Sequence, residues 1–474
     1  MSDELINKTL TELASLVRDR AVSPVETVEA HLRRIERRNP SLNAIVTIAG
    51  DVAEQARAAE AEVIAGKLRR PLHGLPLTIK DTIDTAGLRT TYGSRLFVQN
   101  IPSADAPVVA RLKDAGAIIL GKTNTPEMAI PYETDNPVFG RTNNPHDVSL
   151  TAGGSSGGEA AAIAAGLSPA GIGSDLSGSI RVPAHFCGIA GLKPTTGRVP
   201  MDGHVPRTAG PLSLGACIGP MARTVEDLAL LLSVIADPTQ FEISSDGNPD
   251  QIRSSDLRIA YYADDGITPV TNEVRDVVQN AARALGAAGV SVDEATPPGV
   301  SRGSHLWVEL FAMAARNEIA SLYRGSEKEA GAKLLKILRQ TQVAGAEFED
   351  GIKAAERLAD AVLEREKLRE KLLAWMKTFP LILAPVGATA AFPHGAETIS
   401  AGSGTVSVFR AFSYCQTFNV FGLPSLAVPA GRTATGLPLG VQIIGRPFEE
   451  RTVLAAGKLI EQALGSAGAA IFPS

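Results

Sequence analysis

Cysteine is scarce in this chain: Cys187, Cys217 and Cys415 are the only three in 474 residues, far apart and in no Cys-x-x-Cys arrangement. An odd number at such spacing argues against a disulfide framework and fits a reducing compartment. Cys187 and Cys415 lie in apolar sequence and read as buried structural thiols. No apolar run approaches the length of a membrane-spanning helix. The opening Met-Ser-Asp-Glu-Leu lacks the basic start and apolar stretch of a secretion signal, so the expected location is the cytoplasm. A basic stripe is missing too, with 46 Lys and Arg against 51 Asp and Glu for a formal charge of −5. The small pairs Arg33-Arg34, Arg37-Arg38 and Arg69-Arg70 read as solvated faces, and nucleic acid is not an expected partner. The seven histidines (31, 73, 146, 185, 204, 305, 394) show no ligand spacing. They read as structural or solvent-facing, and neither a metal nor a cofactor is expected.

Repeats and low-complexity segments are also lacking, and the alternation of elements points to an α/β fold. Residues 8 to 70 read as an N-terminal helical region. Ser23-Pro24-Val-Glu26 there gives an N-cap, a proline in the first turn and an acid near the positive end of the helix dipole. The apolar positions Leu75, Leu77 and Ile79 alternate with Pro76, Thr78 and Lys80, the period of a strand. A helix near 106–115 and a strand at 117–120 follow. Beyond a polar loop at 238–256 come a strand from Leu257 and a strongly helical stretch at 301–377. Strands at 381–385 and 437–444 complete the pattern of a sheet covered by helices. The expectation is one domain over 1–474, with 301–377 a helical insertion near the substrate entrance.

The chain is organised around residues 153 to 181, where two glycine-wrapped serine clusters flank an alanine-rich segment. The first is Gly153-Gly-Ser155-Ser156-Gly-Gly158 and the second Ser177-Gly178-Ser179. Glycine lets a ligand approach the backbone, and successive amide N–H groups in such a loop can converge on a polarised carbonyl oxygen. The intervening Glu159–Gly166 reads as a tightly packed helix that fixes the separation of the two loops. A serine hydroxyl needs a base, and Lys80 at its strand's end is the best one upstream. Burial there disfavours the ammonium and leaves an amine able to accept a proton.

Ile79-Lys80-Asp81, the GGSSGG cluster, Gly178-Ser179-Ile180-Arg181 and Cys187-Gly-Ile-Ala-Gly-Leu-Lys-Pro-Thr195 together resemble the amidase signature family, and the resemblance covers almost the whole chain. It implies the amidase signature fold, a central mixed β-sheet with helices on both faces. It further implies hydrolysis of linear amides by a Ser–cis-Ser–Lys triad, with Ser179 as nucleophile, Ser155 as bridging serine after a cis peptide and Lys80 as base. The implied oxyanion hole is the backbone N–H of Leu176, Ser177, Gly178 and Ser179. Ser177 stands where that family has a glycine, a side chain that would narrow the approach. Asp175, Arg181 and Ser156 are expected to support the loops, and Met128 and Ala129 fall where relatives line the acyl pocket. The implied partner is a small-molecule amide or carbamate, with esters and anilides also open, for a monomer or homodimer.

Other readings compete. Gly116 to Thr123 matches the phosphate-loop pattern, but its four intervening residues are themselves an apolar strand. Gly153-Gly-Ser155-Ser-Gly157 matches the nucleophile elbow of an α/β-hydrolase esterase using Ser155, yet turn-like sequence precedes it where a strand is required. A glutamine-hydrolysing subunit of a tRNA-dependent amidotransferase shares the implied triad. The acid such subunits use for the glutamine amino group would fall near Phe412, an apolar residue. Arg365 interrupts an apolar helical stripe. The favoured reading is structural, and the alternative is a cation at the entrance selecting carboxylate-bearing substrates.

Overall fold

The computed structural model describes residues 2–67, 70–237, 249–345, 351–402 and 404–465. Arg69 and most of the polar 238–256 loop lie outside them. Local sequence starts the first helices. Thr9 and Ser23 each form a capping box, with Glu12 and Glu26, before the Leu10–Arg18 and Pro24–Leu42 helices. The N-terminal region is not purely helical, because Ile45–Ile48 forms a strand, β1, between two helices. Nor is every arginine pair there a solvated face. Arg34 is buried, and its Nε donates to the Ala165 carbonyl at 3.0 Å.

The remaining strands of the main sheet are β2 (Pro76–Lys80), β3 (Ile118–Thr123), β4 (Ala170–Asp175), β5 (Ala190–Lys193) and β6 (Cys217–Ala222), then β7 (Arg258–Tyr261), β8 (Ser291–Glu294), β9 (Leu381–Pro385), β10 (Ser425–Arg432) and β11 (Pro438–Ile444). They lie side by side as β1-β3-β2-β4-β6-β5-β10-β11-β9-β7-β8. The sheet is mixed: β2 runs parallel to β3 and β4, whereas β4–β6, β5–β10 and β10–β11 are antiparallel. Side chains alternate between two apolar layers. Ile119 joins the cluster with the Val225–Ile235 and Glu450–Leu464 helices, while Ile118 and Leu120 join the one with the Gly157–Ala164 helix. Helices therefore cover both faces of the sheet.

This arrangement positions the site. Because β2 and β4 are parallel, Lys80 and Asp175 end their strands at the same edge, where α/β sheets place ligands. The Gly157–Ala164 helix is buried along its whole length and joins the first serine cluster to β4. The glycines of β4 permit the close approach. A Cβ at Gly173 would lie 2.8 Å from Ser156 Oγ and 2.9 Å from Met221 Sδ. Over 300–375 the chain forms the helices Val300–Trp307, Met313–Leu322, Ala332–Gly345 and Gly351–Trp375, with a π-helical turn at Val308–Ala312.

Candidate active site

Lys80 is fully buried, and its Nζ lies 2.6 Å from Ser155 Oγ and 2.9 Å from Ser174 Oγ. Its close partners are thus hydroxyls. Burial disfavours the ammonium more strongly than the charges of Asp175 and Glu159 favour it, and the amine falls to about 7. Ser174 Oγ also lies 2.9 Å from His204 Nε2, and His204 Nδ1 is 3.0 Å from the Pro206 carbonyl oxygen. Backbone pairing between distant segments brings that histidine in. Asp84 N–H donates to Gly203 O at 2.8 Å and Val205 N–H to Thr82 O at 2.9 Å, so 203–205 run beside the residues that follow Lys80.

The two serine clusters are tied together. Ser156 N–H donates to the Ser179 carbonyl at 3.1 Å, and Ser156 Oγ lies 3.3 Å from both Ser174 N and Ser174 O. The Gly154–Ser155 peptide is cis. From the end of β4 the Asp175 carboxylate organises the turn, accepting from Gly178 N–H at 2.7 Å and Ile180 N–H at 3.1 Å. Arg181 grips the same carboxylate with Nε and one terminal nitrogen, each at 3.0 Å. Gln442 and Asn419 take further guanidinium protons. Burial alone would raise the Asp175 carboxyl, but Arg181 and these donors hold it well below the carboxylate range.

Two side chains set the orientation of the turn. Trp307 Nε1–H donates to the Leu176 carbonyl and the Tyr132 hydroxyl to the Ser177 carbonyl, both at 2.8 Å. In a trans peptide the carbonyl and the following N–H point in opposite directions, so fixing these carbonyls fixes the Ser177 and Gly178 amides. The Gly178 amide consequently faces Asp175 rather than the cleft, which does not fit the expectation of a fourth free donor there. Gly178 itself is required: its φ is 108°, and a Cβ would sit 2.8 Å from that of Cys415.

Ser155, Ser174, Ser177, Ser179 and His204 line one cleft. Its wall is mainly apolar, with Met128, Ile130, Leu176, Met201, Trp307 and Ile319 among the lining residues. Ala129 and Ala315 line it as well, so segments near 128 and within 301–377 both border the cleft.

Two of the expected pocket residues are elsewhere. Arg365 is buried, donates from Nε to the Val420 carbonyl at 2.6 Å and pairs with Glu366, the structural reading of that stripe. Phe412 packs behind the cleft, its ring 4.5 Å from that of Tyr132 and 5.9 Å from that of Phe186, centre to centre. The competing motifs also resolve. Lys122 of the phosphate-loop match lies in β3 and donates to the Ile83 carbonyl and to Thr85 Oγ. Only isolated bridges at Leu150 and Thr151 precede Gly153, where an elbow needs a strand.

Sequence reasoning missed Ser174, His204, Tyr132 and Trp307. Ser174 was one residue from a named position, but nothing local connected His204 to Lys80. Among the described residues, no group of three or more His, Cys, Asp or Glu side chains could hold a metal, and no helix is long and apolar enough to cross a membrane.

Comparison with known proteins agrees with this architecture. The family model described as Amidase matches residues 26–454. An acylamidase of Rhodococcus erythropolis is 36% identical over 94% of this chain and 93% of its own length. A glutamyl-tRNA(Gln) amidotransferase subunit of Heliobacterium modesticaldum is 33% identical, covering 98% of each chain. The crystal structure of a bacterial aryl acylamidase of the amidase signature family superposes with a TM-score of 0.85 at 27% identity, covering 98% of this chain and 99% of that one. Sequence and fold thus agree end to end, and the chain belongs to the amidase family, the amidase signature enzymes.

Proposed function

We propose that the protein hydrolyses the C–N bond of amides through an acyl-enzyme on Ser179, with Ser155 as proton bridge and Lys80 as base. The observation that carries the reading is the 2.6 Å approach of Lys80 Nζ to Ser155 Oγ, with no solvent exposure of the lysine, beside the cleft that Ser155 and Ser179 share. Ser179 Oγ attacks the carbonyl carbon while its proton passes to Ser155 Oγ and the Ser155 proton to neutral Lys80. The Ser177 amide, with those of Leu176 and Ser179, stabilises the oxyanion, and Gly178 instead holds the turn through Asp175. As the C–N bond breaks, the relay returns a proton to the amine nitrogen. Water then attacks the acyl ester by the same path, regenerating Ser179 and releasing the carboxylic acid.

The apolar wall suits a hydrophobic acyl or aryl group, and carbamates, anilides and esters present a similar carbonyl. The three buried thiols, none in a disulfide, suit work in the cytoplasm. The test is labelling by a fluorophosphonate with mapping of the modified residue. Ser179→Ala should abolish both labelling and amide hydrolysis; labelling retained at Ser155 would transfer the nucleophile to the first cluster.

The full-length likeness to an amidotransferase subunit supports a second reading, a glutaminase acting in a complex. Against it, Asp175, the acid among the described residues lining the cleft, is already engaged by Arg181. Glutamine hydrolysis that appears only with a partner protein would decide for that reading.

A further inference from the structure

Beyond Lys80, Ser155 and Ser179, the cleft wall holds a buried imidazole that the proposed reaction does not use. His204 is 7% exposed, and both its ring nitrogens have partners. A backbone carbonyl can only accept, so the contact to Pro206 O places a hydrogen on Nδ1. Burial, reinforced by the nearby Lys80, lowers this imidazole to about 4, so at neutral pH Nε2 carries a lone pair. The Ser174 hydroxyl then donates to Nε2, and its oxygen faces Lys80 as an acceptor. A neutral amine has two hydrogens and one lone pair. One N–H is directed to Ser174, which helps turn the lone pair toward the Ser155 hydroxyl at 2.6 Å.

We infer that His204 is a positioning residue for the base: through Ser174 it fixes the direction of hydrogen bonding around Lys80, so that Ser155 donates to the amine. This rests on the assignment of Lys80, Ser155 and Ser179 proposed above. Without the acceptor at Nε2 the Ser174 hydroxyl is free to donate to Lys80 instead, occupying the lone pair that the relay requires. Glu159 on the following helix and Asp175 at the end of β4 are the charged groups acting on Lys80, and neither makes the contact to Ser174.

The experiment is a double-mutant cycle read by the second-order rate of Ser179 phosphonylation with a fluorophosphonate, on purified full-length protein. His204→Asn keeps a donor for Pro206 but is too short to present an acceptor to Ser174, and it should slow labelling by about tenfold. In a Ser174→Ala background the same change should matter less than about twofold, because its route to the base is already gone. His204→Gln, which can present an oxygen near the Nε2 position, should recover labelling to within about threefold of wild type. His204→Asn should also lower the midpoint of the acid limb of the pH–rate profile, because a hydroxyl donating to the lone pair stabilises the neutral amine. If His204→Asn does not fold, His204→Phe is read in its place with the same expectations. Equal losses in both Ser174 backgrounds, or no loss in either, would overturn the inference while leaving the nucleophile assignment intact. A wild-type protein that is not labelled at Ser179 would remove both.

Discussion

Arg181 and Lys80 are both completely buried basic residues serving the same short loop, yet their surroundings act on them in opposite directions. Arg181 meets a carboxylate head-on, with a carboxamide, an amide oxygen and a backbone carbonyl taking its other protons. Burial works against its charge, but Asp175 outweighs burial and the guanidinium is held more firmly protonated than usual. Lys80 has hydroxyls as its close partners and acidic groups only at longer range, so burial prevails and the amine falls to about 7. Burial alone therefore does not make a base. What decides is whether the first neighbour carries a compensating charge. One side of the 177–179 loop is a charged clamp, and the other is, in the proposed mechanism, a neutral relay.

The comparison can be broken from either side. The largest effect is expected from Lys80→Arg, which installs a cation that does not deprotonate; hydrolysis of an aryl amide should fall by roughly a thousandfold or more. Asp175→Asn attacks the clamp, leaving the buried guanidinium without its counter-charge. Denaturant unfolding should show a loss of about 3–5 kcal/mol. Ser174→Asp would make the relay resemble the clamp. A carboxylate beside Lys80 should move the acid limb of kcat/KM up by about one pH unit or more and reduce the rate at neutral pH about tenfold. The wild-type limb sharpens the contrast. With Lys80 as the proposed base, its protonation removes activity, so the rate should rise with pH through about 7 and fall away below it. The smallest effect belongs to Arg365→Ala. This arginine binds the Val420 carbonyl away from the cleft, so KM should change less than about twofold for charged and neutral amides alike.

The parts of this site legible from sequence carry their own local signal. Lys80 closes an alternating apolar strand, and the serines sit among glycines at spacings that match a known family. The strands bearing the nucleophile loop were not legible. β4 reads Ala-Gly-Ile-Gly-Ser-Asp, poor in the branched residues that mark strands, because Ser156 and Met221 occupy the space beside Gly173. β1 was hidden by its length, four residues between two helices. His204 was grouped with structural histidines because its meaning depends on the pairing of 203–205 with residues after β2, a contact between distant segments. The Gly178 amide is a similar case. The sequence places four amides in a turn, but only the fold shows that Asp175 accepts from one of them.

A titration of the Lys80 Nζ by NMR, assigned by the resonance missing from a Lys80→Met variant, tests the central claim most directly. The account predicts a midpoint near 7. An amine that stays protonated to pH 10, as an exposed lysine does, would contradict it, since Lys80 would then be a second clamp and not the base.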